Sequence, residues 1–217
     1  MSQTIKRFLG TLVILLPVFV LLVIWGMMVP LSSRFVDINT IYLSIGRLSG
    51  LLGLALYSIS LVLHVRIRFL GKIVDPAYIC KLHHDLGSWA LVLLLIHPLA
   101  LVARFVTTDL YYAAKYLVPL GNLANMAGFL ALMIMIAAML VTYYLKNHHT
   151  LWLWIHRSML VAYVGSFLHL LLVTSDTSAS PLLKYYMIIL MIIGIIAFAY
   201  QRISRYFQAT STSGEAC

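Results

Sequence analysis

At 217 residues, 63% hydrophobic and 10% charged, the chain is too apolar to be a soluble domain, whose surface would be one continuous hydrophobic patch. A net charge of +9 raises nucleic acid as a partner. The basic residues, however, lie scattered at the ends of apolar runs, which suits membrane topology and anionic lipid head groups better than a nucleic-acid footprint, so no nucleic-acid partner is expected.

Six apolar segments follow in order, each near the roughly 20 residues that span a bilayer. They cover residues 8–29, 41–64, 83–103, 117–145, 152–174 and 182–200. The fold class expected is all-α, a polytopic membrane bundle of six transmembrane helices. Lys6 and Arg7 before the first run suggest a signal peptide, but Met27, Met28, Val29 and Pro30 give no small-x-small cleavage site, so the run reads as a retained helix. Segment four is the longest and is expected to tilt or to extend past the lipid. No internal repeat or linker divides the chain. The expectation is one domain over residues 1–208, with a short, polar, disordered tail at 209–217. Cys80 and Cys217 belong to no Cys/His spacing and read as unpaired thiols.

The loops set the orientation. Lys6, Arg7, Arg66, Arg68, Lys72, Lys81, Lys146, Arg157, Arg202 and Arg205 fall on one side, and Arg34, Arg47, Arg104, Lys115 and Lys184 on the other. Ten against five places both termini in the cytoplasm. Segments three and five then run outward in parallel, with His83 and His156 near the inner surface and His97 and His169 near the outer one. Intramembrane histidines are functional candidates by default. Thirteen or fourteen helical residues span roughly 20 Å, room for two stacked haems inside the bilayer, each held by one imidazole from each helix. Four isolated, neighbour-bonded histidines would be the plainer account, but matched spacing on parallel helices favours ligands.

The spacing leaves a choice. His97 is fourteen residues from His83 and thirteen from His84, and His156 is thirteen from His169. At about 100° per residue, fourteen returns to nearly the same face and thirteen does not. Geometry prefers His83 to His84 and calls for a tilt or irregularity near Gly165. His64, His148 and His149 read as solvated. Arg47 and Arg157 are candidates to bind haem propionates through a bidentate guanidinium; Arg47 reads equally as an arginine snorkelling to the head groups. Trp89, Trp152 and Trp154 either pack on porphyrin or form the interfacial aromatic belt, and the belt is the favoured reading.

The run His83, His84, Asp85, Leu86, Gly87 through His97 and Pro98 resembles the H-x-x-L-G…H helix of ferric reductase-like transmembrane domains. Trp152, Leu153, Trp154, Ile155 and His156 through His169 resemble the second haem helix of that superfamily, and Gly46-Arg47 a G-R element opening its second helix. The superfamily includes NADPH oxidases, ferric reductases and the haem membrane subunit of bacterial periplasmic methionine sulfoxide reductase. The likeness spans segments two to six. It implies two haem b groups, the inner on His83 and His156 and the outer on His97 and His169, and it selects His83 over His84. Haem number varies across such relatives; four histidines argue for two.

No Gly-rich fingerprint or βαβ pattern follows the sixth segment, so flavin is expected only on a partner. The expected donor is a separate cytoplasmic flavin/NAD(P)H dehydrogenase. Ferric iron, oxygen or an extracytoplasmic redox partner would be the acceptor, in a bacterial-type inner membrane. The chain would be an oxidoreductase component that carries electrons, with no catalytic residue of its own. The competing classes are a haem-free transporter or scaffold subunit, against which these segments lack the paired charges or broken-helix signals of a coupled transporter, and a quinol-linked b561-like cytochrome, whose histidine helices are arranged differently.

Overall fold

A computed structural model describes residues 3–64, 75–106, 109–117, 121–144, 149–173 and 179–213. Arg66, Arg68, Lys72, Lys146, His148 and Cys217, and the side chains of His64, His149 and Arg205, lie outside that description. The described residues form α1 (Gln3–Met28), α2 (Leu31–Arg34), α3 (Ile38–His64), α4 (Pro76–Val106), α5 (Leu110–Leu117), α6 (Leu123–Tyr144), α7 (His149–Val173) and α8 (Pro181–Ser213). Six of these, α1, α3, α4, α6, α7 and α8, are long and apolar enough to cross a membrane. Helix is the natural answer to such composition, because lipid leaves backbone groups no partners except each other.

Local chemistry places the helix ends. Asp37 and Thr40 cap α3 reciprocally: the Thr40 amide donates to Asp37 Oδ1 at 2.8 Å and the Asp37 amide to Thr40 Oγ1 at 3.1 Å. Bonding to the Thr40 backbone holds the Asp37 carboxyl below its ordinary value. The Asp75 carboxylate accepts from the Ala77 amide at 3.0 Å, with Pro76 at the first helical position. Helix α4 therefore starts at Pro76, earlier than the expected 83. Hydropathy registers where the apolar run starts, whereas the cap decides where the helix does. At 31 residues, α4 is about 46 Å long at 1.5 Å per residue and exceeds a bilayer core of about 30 Å.

Segment four divides differently from expectation. Residues before 118 form the short α5, whose first amides bond Asp109 Oδ1 at 3.0 and 3.2 Å. Gly121 then adopts a φ of 89°, a left-handed conformation that side chains other than glycine resist. Asn122 caps α6 by accepting from the Asn125 amide at 3.2 Å. The spanning helix α6 thus begins at Leu123, after Gly121 and Asn122, and is shorter than the apolar run from 117 to 145. At the other end, α8 extends as helix to Ser213.

The hub of the bundle is α3, with 67% of its apolar window buried inside the protein against 28% or less for every other span. It packs along α4, and α6 packs along α7; α8 and α1 close over α3. Leu21, Ala55, Tyr163, Phe167, Leu183 and Met187 are fully enclosed where these helices meet. Buried Ser49 and Ser58 return their hydroxyls to carbonyls of their own helix at 3.0 and 2.9 Å, as an apolar setting requires. Arg34, also buried, closes the end of α1 by donating to the carbonyls of Trp25 and Val29 while its guanidinium lies over the Trp25 ring. Phe8, Val13, Phe19 and Met27 project outward from α1, the face expected to meet lipid.

Candidate functional site

The helices form two close-packed pairs, α3 with α4 and α6 with α7, while α4 and α7 are not among the closely packed pairs. The histidines project from these two helices into the space between them. His83 and His156 have ring centres 6.5 Å apart with planes at 76°, and His97 and His169 have centres 6.0 Å apart at 75°. Because the two pairs follow the same order along both helices, α4 and α7 run in the same direction. Each pair lines its own cavity, about 410 Å³ for His97–His169 and about 300 Å³ for His83–His156. Met135 lines both.

The His97 and His169 rings are seated by the same device. His97 Nδ1–H donates to the Gly46 carbonyl at 2.7 Å, and His169 Nδ1–H to the Ala124 carbonyl at 2.8 Å. Four residues beyond each carbonyl stands a glycine against the ring. A Cβ on Gly50 would lie 2.7 Å from His97 Nδ1, and one on Gly128 2.7 Å from His169 Cγ. The helix neighbouring each histidine thus provides a niche that only a hydrogen atom leaves open. Gly53 continues the α3 stripe, where a Cβ would meet Leu94 Cγ at 2.7 Å. Small residues at such spacing let helix backbones approach closely in membranes.

His83 is bonded to Ser60, its Nδ1 lying 2.8 Å from the carbonyl oxygen and 2.9 Å from the hydroxyl. His84 is exposed, with its ring 5.3 Å from that of His83. It lines the same cavity. A carbonyl accepts only, so Nδ1 of His83, His97 and His169 carries the hydrogen and the neutral ring has its lone pair on Nε2. That is the tautomer a metal-binding imidazole adopts when its other nitrogen is fixed by a second partner.

The spacing of each pair fits a metal held between one imidazole from each helix. Two metal–nitrogen bonds of about 2 Å each, plus roughly 1 Å from nitrogen to ring centre on either side, put such rings about 6 Å apart. The observed 6.0 and 6.5 Å match. Among the described residues no three His, Cys, Asp or Glu side chains gather as a metal cluster, so the donors come as pairs.

Four arginines line the cavities. Arg47 lies with Arg104 on the His97–His169 cavity, and Arg157 with Arg202 on the other. Arg104 and Arg202 entered the sequence reading only as topology markers, although Arg104 stands seven residues, two helical turns, beyond His97 on the same face of α4. Trp152 also departs from expectation. It lies stacked on His156 with ring centres 5.0 Å apart and planes at 9°, whereas Trp89 and Trp154 are exposed. A residue one turn before His156 on its own helix is placed to pack on that ring, so Trp152 has a contact in the site besides its place at the end of the span.

The irregularity expected near Gly165 is absent: α7 is a continuous α-helix through it. The His156 ring lies parallel to and offset from Trp152, and the His169 ring sits in the α6 niche. Gly165 faces α6, where an added Cβ would come into van der Waals contact with Ala127 O and Ala131 Cβ at 3.4 Å.

Comparison of the chain with protein-family models, with curated proteins and with solved structures returned no match.

Proposed function

We propose that the chain is a transmembrane b-type cytochrome of the ferric reductase-like kind, in a bacterial-type inner membrane with both termini in the cytoplasm. It takes electrons from a separate cytoplasmic flavoprotein dehydrogenase and delivers them to an extracytoplasmic acceptor, whether ferric iron, oxygen or a redox partner protein. One observation carries the reading: two parallel helices present two imidazole pairs with ring centres 6.5 and 6.0 Å apart, each pair on its own cavity.

His83 with His156 would hold one haem b, and His97 with His169 the other. When bound, each haem would supply one-electron transfer. The remaining work belongs to the chain. The carbonyls of Ser60, Gly46 and Ala124 fix ring orientation and tautomer. Leu54, Leu94, Phe129 and Leu132 wall the His97–His169 cavity with apolar surface that excludes water. Arg47 and Arg104, and Arg157 and Arg202, offer guanidinium groups at the two cavities to carboxylates of a bound group. His83, bonded to Ser60 and facing His156, is favoured over exposed His84 as ligand.

The test is a dithionite-reduced minus oxidised spectrum of the purified protein together with its haem-to-protein ratio. Two haems per chain and a sharp b-type α band are expected. His83→Ala and His97→Ala should each remove one haem and His84→Ala neither. A pure, folded protein without the α band sinks the proposal, and retention of both haems in His83→Ala with loss in His84→Ala moves the ligand by one residue.

A further inference from the structure

His156 carries a constraint that ties it to a third helix. Its ring lies parallel to the indole of Trp152, one turn earlier on α7, at 9° and 5.0 Å between centres. The indole is itself pinned: Trp152 Nε1–H donates to Thr142 Oγ1 of α6 at 3.1 Å. The Thr142 hydroxyl in turn donates to the Ala138 carbonyl at 2.7 Å. An anchored chain thus runs from the α6 backbone through Thr142 and Trp152 to His156, and all three side chains line the same cavity.

A ring stacked within 9° of a pinned indole has little freedom to turn about its own axis. The plane it takes stands at 76° to His83. We propose that Trp152, held by Thr142, is a positioning residue that fixes the plane of the His156 imidazole and with it the near-perpendicular arrangement of the His83–His156 pair. This rests on the di-haem reading. The consequence is spectroscopic before it is kinetic, because outer-shell partners set ligand orientation and so tune the metal. In a ferric low-spin centre with two axial imidazoles, the angle between the ring planes governs the splitting of the iron d orbitals. Near-perpendicular rings give a large gmax, and rings released toward parallel give a smaller one.

The experiment is low-temperature EPR of the full-length ferric protein in detergent, alongside its haem-to-protein ratio, for the wild type, Trp152→Ala, Trp152→Phe and Thr142→Val. Wild type should show large-gmax signals from both sites, whose ring pairs stand at 76° and 75°. In Trp152→Ala one signal should move to smaller gmax and broaden. The signal lost in His97→Ala, which reports the other site and the integrity of the fold, should stay in place. Trp152→Phe and Thr142→Val keep a ring or the indole but lose the pin, and should shift the same signal by less. If Trp152→Ala loses that haem outright, Trp152→Phe decides: a shifted signal upholds the proposal and an unmoved one overturns it. Two retained haems with both signals unmoved in Trp152→Ala overturn the positioning role and leave the di-haem reading intact. A wild type without haem overturns both.

Discussion

Gly50→Ala puts a methyl group where the His97 ring now lies. Its carbon would fall 2.7 Å from Nδ1, 3.1 Å from Cγ and 3.2 Å from Cε1. The ring is a poor candidate to yield, because Nδ1–H is already bonded to the Gly46 carbonyl at 2.7 Å. Overpacking of this kind costs about 1–3 kcal/mol, and a ring that retreats gives up a buried hydrogen bond worth about 1 kcal/mol. Alanine returns about 1 kcal/mol of helix propensity to α3, which helps the fold without helping the ligand. Binding at the His97–His169 site should therefore weaken by about 2–4 kcal/mol, roughly 30- to 700-fold at 1.4 kcal/mol per tenfold. The assay is haem content by pyridine haemochrome after purification, followed by titration of the depleted protein with hemin. One haem per chain is expected where the proposed function gives the wild type two. Gly26→Ala, whose added Cβ meets nothing within 4 Å, serves as control and should keep both. Two tightly held haems in Gly50→Ala would refute the niche and the orientation of His97 derived from it.

Gly128→Ala should empty the same site by the mirror-image route, since its Cβ would lie 2.7 Å from His169 Cγ and 2.8 Å from Nδ1; combined with Gly50→Ala it should remove no further haem, and loss of the second haem in the same ratio assay would contradict this. Gly194→Ala drives a methyl into the hydroxyl end of Tyr163 and should destabilise by about 1–3 kcal/mol, whereas Tyr163→Phe gives up bonds to Ser58 Oγ and the Leu190 carbonyl at about 1 kcal/mol. The double variant should cost less than the sum, because removing the hydroxyl relieves part of the clash; strict additivity in a thermal-unfolding double-mutant cycle would argue against that contact. The Asp37 carboxyl is held below its ordinary 3.8 by the Thr40 backbone bond, so its contribution is full above that value and disappears as pH falls through the lower folded one. Asp37→Ala should accordingly be less stable than wild type at neutral pH and converge with it in strong acid, and a difference that persists unchanged at the acid limit would rule out the carboxylate as its source.

The spans were legible because lipid imposes a single rule on them: about 20 apolar residues in which the backbone bonds to itself. The break between α5 and α6 was signalled too, by Pro119, Gly121 and Asn122, but an unbroken run of hydropathy outweighed it. The start of α4 was written in Asp75-Pro76, which a search for apolar length passes over. At the candidate site the histidines and Arg47 stood out because polar groups are rare in such sequence. Arg104 and Arg202 did not, since an arginine at the end of a span has a sufficient topological reason to be there. Trp152 was visible only as one interfacial aromatic among several. Its distinction depends on Thr142, ten residues away on another helix.

The paired glycines show where the boundary lies. Gly46 and Gly50, and Ala124 and Gly128, are small residues four apart, a spacing the amino-acid order alone displays and which predicts close helix approach. What approaches them cannot be read from that order, because it depends on which helix each one packs against. The sequence by itself determined six apolar helices, four intramembrane histidines at matched intervals, and the caps that begin the helices, all consequences of local hydrogen bonding and transfer from water. Only the tertiary structure decided that α3 seats His97 and α6 seats His169. It set the separation of the already matched His83 and His156 rings, 6.5 Å, and left cavities on the two imidazole pairs. The physical reason is that hydropathy and helical phase act within one helix, while the direction of an imidazole nitrogen is set by a carbonyl 45 or 51 residues away in the chain.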